Sequence, residues 1–252
     1  MSDIQVTPIN QEVTAEHPGV LKRLLWVFTS PGKLMASLAE KPKVLFTLIL
    51  CAIPLDLLYF LQMPLYKDLL RNAAIAQSQS SYMQSLGVEM TPEMIEATLP
   101  TSVMTGLIGG PIGTIIMMLL TTLICFAIFR IMGGEGKFKA YLSVVSHASV
   151  ISALYTLLLI PISYATGSLN MTSSLTSLAT LVSMDAVGPV IYGILSSLDI
   201  FKIWYYVVAA IGMAAVSKLK KKNVYIVVAV LFVISMIITI TGMQAAGQFL
   251  GV

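Results

Sequence analysis

Long apolar segments set the main restriction on the fold of this chain. Four of them are 20 to 25 residues long and contain a single basic residue, Arg130: residues 44–63, 111–131, 141–165 and 224–243. A helix of about 20 residues crosses a hydrocarbon core about 30 Å thick. Charged residues make up 11% of the chain, against roughly a quarter in soluble domains. The sequence therefore predicts a membrane protein and disfavours a soluble enzyme.

A fifth apolar segment, residues 190–216, is interrupted by Asp199 and Lys202. One interpretation is a long tilted helix that starts at Pro189 and embeds both charged residues. The other starts the crossing near Asp199, leaves the preceding residues at the membrane surface, and still gives a helix of about 28 Å over residues 199–217. We favour the second interpretation.

The second interpretation gives each polar residue near this helix start a role. Ser196 or Ser197 caps the helix. Asp199 then lies in the first turn, where the helix dipole favours an anion. Lys202 extends its side chain towards the lipid headgroups.

Basic residues are distributed unevenly among the connections between the five segments. With the N-terminus in the cytoplasm, 12 lysines and arginines fall on the cytoplasmic side, and only Lys67 and Arg71 fall on the other. This bias follows the positive-inside rule and predicts a cytoplasmic N-terminus and an external C-terminus. The 12 residues are Lys22, Arg23, Lys33, Lys41, Lys43, Arg130, Lys137, Lys139, Lys218, Lys220, Lys221 and Lys222.

The predicted fold is an all-α, multi-pass protein of the cell membrane with five transmembrane helices. The helices occupy residues 44–63, 111–131, 141–165, 199–217 and 224–243. Residues 1–18 form a polar tail, residues 19–243 the membrane domain, and residues 244–252 a short C-terminal tail.

Short amphipathic helices are predicted outside the membrane. Before the first span, apolar residues recur at helical spacing and Ser30-Pro31 is typical of a helix start for residues 32–40. In the first outer loop, residues 65–86 and a segment from Pro92 to just before Pro100 have helical patterns. The apolar residues before the first span are Leu21, Leu24, Leu25 and Phe28, and the second outer loop carries Leu175, Leu178, Leu181 and Val182 on one possible helical face.

Asp56 and His147 are ionisable groups inside predicted spans. Such residues often mark ion or proton sites because an unpaired charge in the bilayer is costly. Asp56 equally fits a protonated carboxyl that bonds backbone groups near Pro54. His147 equally fits a hydrogen-bonded packing residue on a serine-rich face. Together with Asp199 and Lys202, these residues are the candidate intramembrane polar site.

Two further motifs have simple structural interpretations. Gly109 and Gly113 have the GxxxG spacing that permits close helix contact. The cluster Lys218, Lys220, Lys221 and Lys222 is a topology determinant that also suits anionic lipid headgroups. A net charge of +3 is too small to predict a nucleic-acid partner. No catalytic, metal or cofactor motif is recognisable, so we expect no enzyme activity and no cofactor.

Several segments resemble the bacterial branch of the Yip1 domain family. They are Phe28-Thr29-Ser30-Pro31 with Glu40-Lys41-Pro42, the loop Gly133-Gly134-Glu135-Gly136-Lys137-Phe138, and Leu198-Asp199-Ile200-Phe201-Lys202-Ile203-Trp204. The resemblance implies a five-span protein that acts by interaction, since eukaryotic relatives associate with small GTPases and some bacterial relatives with ABC-type exporters. It implies no catalytic residue.

We therefore expect a non-enzymatic accessory or scaffold protein whose partners are the lipid bilayer, other membrane proteins such as an ABC-type exporter, or further copies of itself. The alternative is a small carrier or lipid-handling protein that uses Asp56, His147 or the Asp199/Lys202 pair, because transporters place substrate sites at interrupted helices.

Overall fold

The computed structural model describes residues 18–79, 91–169 and 174–250, with side chains to residue 244. Within these ranges the secondary structure is helical, apart from one isolated β-bridge. The polar tail, except its last residue, and the end of the predicted helix at residues 65–86 lie outside the described residues. The helices are α1 (Val20–Thr29), α2 (Pro31–Glu40), α3 (Leu45–Ala52), α4 (Pro54–Leu61), α5 (Met63–Ser78), α6 (Pro92–Ile131), α7 (Phe138–Ala148), α8 (Val150–Thr166), a 3-10 turn (Leu178–Leu181), α9 (Met184–Ser197), α10 (Ile200–Ser217) and α11 (Lys221–Leu250).

Four helical segments are long and apolar enough to cross a membrane: α6, α7 with α8, α10 and α11. The first predicted span differs from them, because α3 and α4 together form a shorter helix that turns by 92° into α5 at Gln62. Pro64 follows this turn and has no backbone N–H to continue the hydrogen-bond ladder. By length and composition, the described residues provide four candidate crossings, or five if the bent segment from α3 to α5 is one span.

Helix α6 corrects the predicted organisation of the first outer loop. We expected one helix to end before Pro100 and a separate span to start at Pro111, but a single 40-residue helix runs through both prolines. Proline is tolerated in long apolar helices when neighbouring groups satisfy the freed backbone. At 1.5 Å per residue, α6 is about 60 Å long and extends well beyond a bilayer core.

Helices α1 and α2 precede the first span as predicted, but α2 is more deeply buried than an interfacial helix. Leu34, Met35 and Leu38 of α2 are fully buried. The predicted α1 face is exposed at Leu21 and Leu25, so that face is free to contact lipid.

The core is built around α10, which contacts α2, α7, α8 and α11. A β-carbon on Gly212 would lie 2.8 Å from the Met35 Sδ atom and would overlap Val144. Glycine therefore lets α2 and α7 approach the α10 backbone closely. The sequence alone gave no sign that Gly212 is at this crossing.

Hydrogen bonds tie both ends of the α3–α4 segment to the α7–α8 span. The Lys43 backbone exchanges two hydrogen bonds with the Ser143 hydroxyl, of 3.1 and 2.8 Å. At the far end, the Tyr164 hydroxyl donates to the Leu61 carbonyl at 3.1 Å. Ser143 and Tyr164 are about 31 Å apart along a helical axis. The α3–α4 segment thus runs beside most of the length of the α7–α8 span.

Candidate functional site

Asp199 joins the second outer loop to the start of α10. Its Oδ1 atom accepts from the Lys202 backbone N–H at 2.7 Å, and its Oδ2 atom accepts from the hydroxyls of Ser174, at 2.6 Å, and Thr176. Asp199 is therefore the N-cap itself, whereas the sequence analysis assigned capping to Ser196 or Ser197 and placed Asp199 in the first turn. The break before Asp199 separates α9 from α10, which agrees with the interpretation we favoured.

In the part that the structure describes, the second outer loop contains little helix. Leu178 and Leu181 form a single 3-10 turn, not a longer amphipathic helix, and Leu181 is exposed. Leu175 donates its backbone N–H to the Tyr155 hydroxyl of α8 at 2.9 Å. The loop is thus held to Tyr155, inside α8, and to the start of α10 by polar contacts.

Lys202 is half-buried between α10 and α11. Its Nζ atom lies 3.4 Å from the Thr239 Oγ1 atom and 5.9 Å from the centre of the Phe232 ring. Helices α10 and α11 are antiparallel, and the ring of Tyr206 on α10 packs on Phe232 of α11. Counted from this contact, Thr239 is seven residues and Lys202 four residues towards the end at which α10 starts, so Thr239 lies nearer that end. The lysine side chain therefore rises along α11 towards the end of the bundle, in the direction expected for an extended lysine.

A cavity of about 400 Å³ lies between α6, α10 and α11, and Lys202 is part of its wall. Most of the wall is apolar, including Ile124, Met213 and Leu231, and hydroxyls contribute near Lys202. A second cavity of about 420 Å³ shares Thr121 and other wall residues with it. Neither space could be predicted from the sequence, because each is bounded by three or more helices.

Asp56 lies beside α6 with one carboxylate oxygen unsatisfied. Its Oδ1 atom is buried without a hydrogen-bond partner, and a β-carbon on Gly110 would lie only 2.7 Å from it. Nearby, the rings of Tyr59 and Tyr66 stack with their centres 4.1 Å apart. Gln62, at the turn into α5, also has an unpartnered buried Nε2 atom. This region combines polar groups with a helix break, as the carrier hypothesis requires.

His147 occupies a different part of the bundle and is fully buried. Its Nδ1 atom lies 2.8 Å from the Ser143 carbonyl oxygen one turn earlier, which fits the packing interpretation. Its Nε2 atom has no partner among the described residues. The structure therefore does not bring His147, Asp56 and Asp199/Lys202 together as one site.

The glycine motif on α6 contains two overlapping GxxxG pairs. Gly109 and Gly113, which we selected for packing, face open space within the described chain. Gly106 and Gly110 instead lie against Tyr66 and Asp56. Helix packing at Gly109 and Gly113 therefore stays a prediction, because the periodicity of α6 alone cannot show which face α4 and α5 cover.

The basic cluster lies at the opposite end of α10 from Lys202. Lys218 forms an ion pair with Glu135 at 2.7 Å, and this pairing lowers the pKa of the Glu135 carboxyl and raises the pKa of Lys218. Lys220, Lys221 and Lys222 are exposed. The role of this cluster in binding anionic headgroups stays a prediction.

The glycine-rich loop beside this cluster is fixed to the end of α10. Gly133 and Gly136 have φ values of +83° and +88°, in the left-handed region that favours glycine. A β-carbon on Gly136 would also lie 2.7 Å from the Val216 Cγ1 atom. The Glu135 N–H donates to the Ser217 carbonyl at 2.8 Å.

Comparison with known proteins gives one family and one curated relative. The model of the Yip1 domain matches residues 26–243. The chain is 26% identical over 210 residues to the membrane protein YknW of Bacillus subtilis (strain 168). The matched residues are 83% of this chain and 84% of that protein. No solved structure matches.

Proposed function

This chain belongs to the Yip1 domain family, and we propose that it acts in the cell membrane as a non-enzymatic accessory or scaffold for other membrane proteins. An ABC-type exporter is the expected kind of partner, and a second copy of the chain is the other. The observation that carries the proposal is the open face of α6 at Gly109 and Gly113, where no helix of the described chain packs.

The distribution of burial supports an interaction role. Within an apolar stretch of 18 residues in each segment, 50% of the residues are buried in α7–α8, compared with 22% in α6 and 11% in α11. Helices α6 and α11 therefore present most of their apolar surface outwards, where either lipid or another transmembrane helix can cover it. Small residues at Gly109 and Gly113 would let a second helix approach the α6 backbone closely.

Capture from native membranes tests this proposal. Tagged full-length chain in mild detergent should retain a reproducible membrane-protein partner, and substituting Gly109→Ile with Gly113→Ile should remove it because the larger side chains block close approach. Leu120→Ile, at another exposed position of α6, is the matched control. Repeated recovery of the wild-type chain alone, without a second tagged copy, would contradict the scaffold proposal.

The proposed topology has five crossings, with the N-terminus inside and the C-terminus outside. The hydrogen bonds at both ends of α3–α4 support a full crossing by that segment. The basic residues support the same count, since 12 of them share one side only if this segment crosses.

Cysteine labelling tests the topology. In a variant with Cys51 and Cys125 replaced by alanine, Glu93→Cys should react with an impermeant reagent outside intact cells. Lys221→Cys should react only after permeabilisation. The opposite pattern would invert the map, and labelling of both positions from outside would mean a different number of crossings.

A carrier or lipid-handling function is the second candidate. The unpartnered Asp56 carboxylate oxygen beside the helix break at Gln62 favours it, because transporters bind substrates at interrupted helices. The test is flux or lipid movement in reconstituted vesicles, with Asp56→Asn as the variant. Wild-type activity equal to empty vesicles, or full activity of the variant, would remove this candidate.

A further inference from the structure

The Lys202 ammonium forms no ion pair with the described residues, although the Asp199 carboxylate is near enough to act on it electrostatically. The nearest acidic group along the chain, Asp199, directs its two oxygens to the Lys202 backbone and to two hydroxyls of the outer loop. A lysine in this setting is stabilised by an anion that can reach it from the membrane.

The depth of Lys202 matches the position of a lipid phosphate. Helix α10 has 18 residues and is about 27 Å long, close to the thickness of the hydrocarbon core. Lys202 is its third residue, at the end opposite Lys218. The Thr239 hydroxyl donates to the Ser235 carbonyl at 2.9 Å and accepts from the Lys202 ammonium, so it holds the ammonium in place at this depth.

The cavity below Lys202 has the length of one acyl-chain layer. Along α10 its wall extends from Lys202 to Met213, about 16 Å, and half of a typical hydrocarbon core is about 15 Å. The deeper wall, formed by Ile124, Met213 and Leu231, is apolar. The Lys202 ammonium and the apolar part of the cavity therefore follow one another in the same order as the headgroup and the acyl chain of a phospholipid.

We propose that the cavity between α6, α10 and α11 binds one anionic phospholipid, with its phosphate at Lys202 and one acyl chain directed towards Met213. The lipid belongs to the leaflet opposite the exposed lysine cluster. This site is independent of the scaffold proposal, which uses the Gly109/Gly113 face of α6.

Lipid retention by the purified full-length chain tests the site. The chain is exchanged into detergent with phosphatidylglycerol or with phosphatidylcholine of the same acyl chains, and bound lipid is counted by native mass spectrometry. We expect one retained phosphatidylglycerol and about tenfold weaker retention after Lys202→Met, which removes the charge and keeps an unbranched side chain. Lys202→Arg should retain the lipid.

Two further variants separate this site from general electrostatics. Lys33→Met removes an exposed lysine of α2, outside the Lys218–Lys222 cluster, and should leave the retained lipid unchanged. Thr121→Phe adds bulk to the cavity wall with Lys202 intact and should reduce retention. Melting temperatures measured in parallel establish that each variant is folded.

Several results would overturn the proposal: equal retention by wild-type and Lys202→Met chains, no preference for phosphatidylglycerol, or an equal loss with Lys33→Met. Inorganic phosphate distinguishes the two sources of the anion. If millimolar phosphate displaces the lipid completely, or if Thr121→Phe has no effect, the site binds a free anion and not a lipid. Loss of membrane-protein partners in the Gly109/Gly113 experiment would leave this result unchanged.

Discussion

Asp199 accepts a hydrogen bond from the Lys202 backbone N–H at 2.7 Å, three residues along the chain. The two residues therefore interact through the lysine main chain, while the lysine side chain turns to Thr239 on α11. The carboxylate of Asp199 and the ammonium of Lys202 therefore have different roles within one short segment. The carboxylate fixes the start of α10 and the outer loop, and the ammonium remains available in the membrane.

Asp199→Ala should destabilise the protein by about 1 to 3 kcal/mol, because it removes the cap of α10 and leaves two loop hydroxyls without their acceptor. Asp199→Asn should lose less, since asparagine is also a good N-cap. Chemical unfolding in detergent measures both. Equal stability of the alanine variant and the wild type would contradict the assigned cap.

Gly110→Ala and Gly109→Ala should differ in stability although the two glycines are adjacent. A β-carbon at Gly110 meets the Asp56 Oδ1 atom, whereas Gly109 is open. We expect a loss of about 1 to 3 kcal/mol at Gly110 and a change within about 0.5 kcal/mol at Gly109.

A double variant identifies the cause of the Gly110 effect. In the background Asp56→Ala, the carboxylate is absent and the cost of Gly110→Ala should fall. An unchanged cost in that background, measured by thermal unfolding, would mean that Asp56 is not the group that Gly110 accommodates.

The two left-handed glycines of the loop before α7 provide another matched pair. Gly133→Ala introduces backbone strain alone, because nothing lies within 4 Å of the new β-carbon. Gly136→Ala adds a contact with Val216 to similar strain. We expect a loss of about 1 kcal/mol at Gly133 and a larger one at Gly136. The reverse order in unfolding experiments would contradict the packing of this loop on α10.

The ion pair between Glu135 and Lys218 should make a small, pH-dependent contribution to stability. Pairing lowers the pKa of the Glu135 carboxyl below its ordinary value of 4.5, so the folded state favours the ionised form. The contribution is therefore fully present above pH 4.5 and is lost as the pH falls through the lowered pKa.

Glu135→Gln is the variant that measures this contribution. Its stability should fall below that of the wild type at neutral pH and low salt, and the difference should shrink in acid and at high salt. A difference that persists unchanged below the lowered pKa would show that the amide disturbs something other than the ion pair.

The apolar segments and the positions of prolines and glycines were enough to predict an all-α membrane protein and most of its helix starts. They also led to the interpretation in which α10 starts near Asp199. The prediction failed where helices continue through a breaker, as α6 does at Pro100 and Pro111. Contacts that depend on a neighbouring helix, as at Gly106 and Gly110, were not predicted.

Hydrophobic length and local capping are properties of a single segment, and therefore the sequence by itself determined that this chain is helical, where α10 starts, and that its residues suit a bilayer. Which face of α6 is covered, whether His147 and Asp56 share a site, and what surrounds Lys202 depend on how several helices pack. Only the tertiary structure decided those points, because residues far apart in the chain must meet to form each contact.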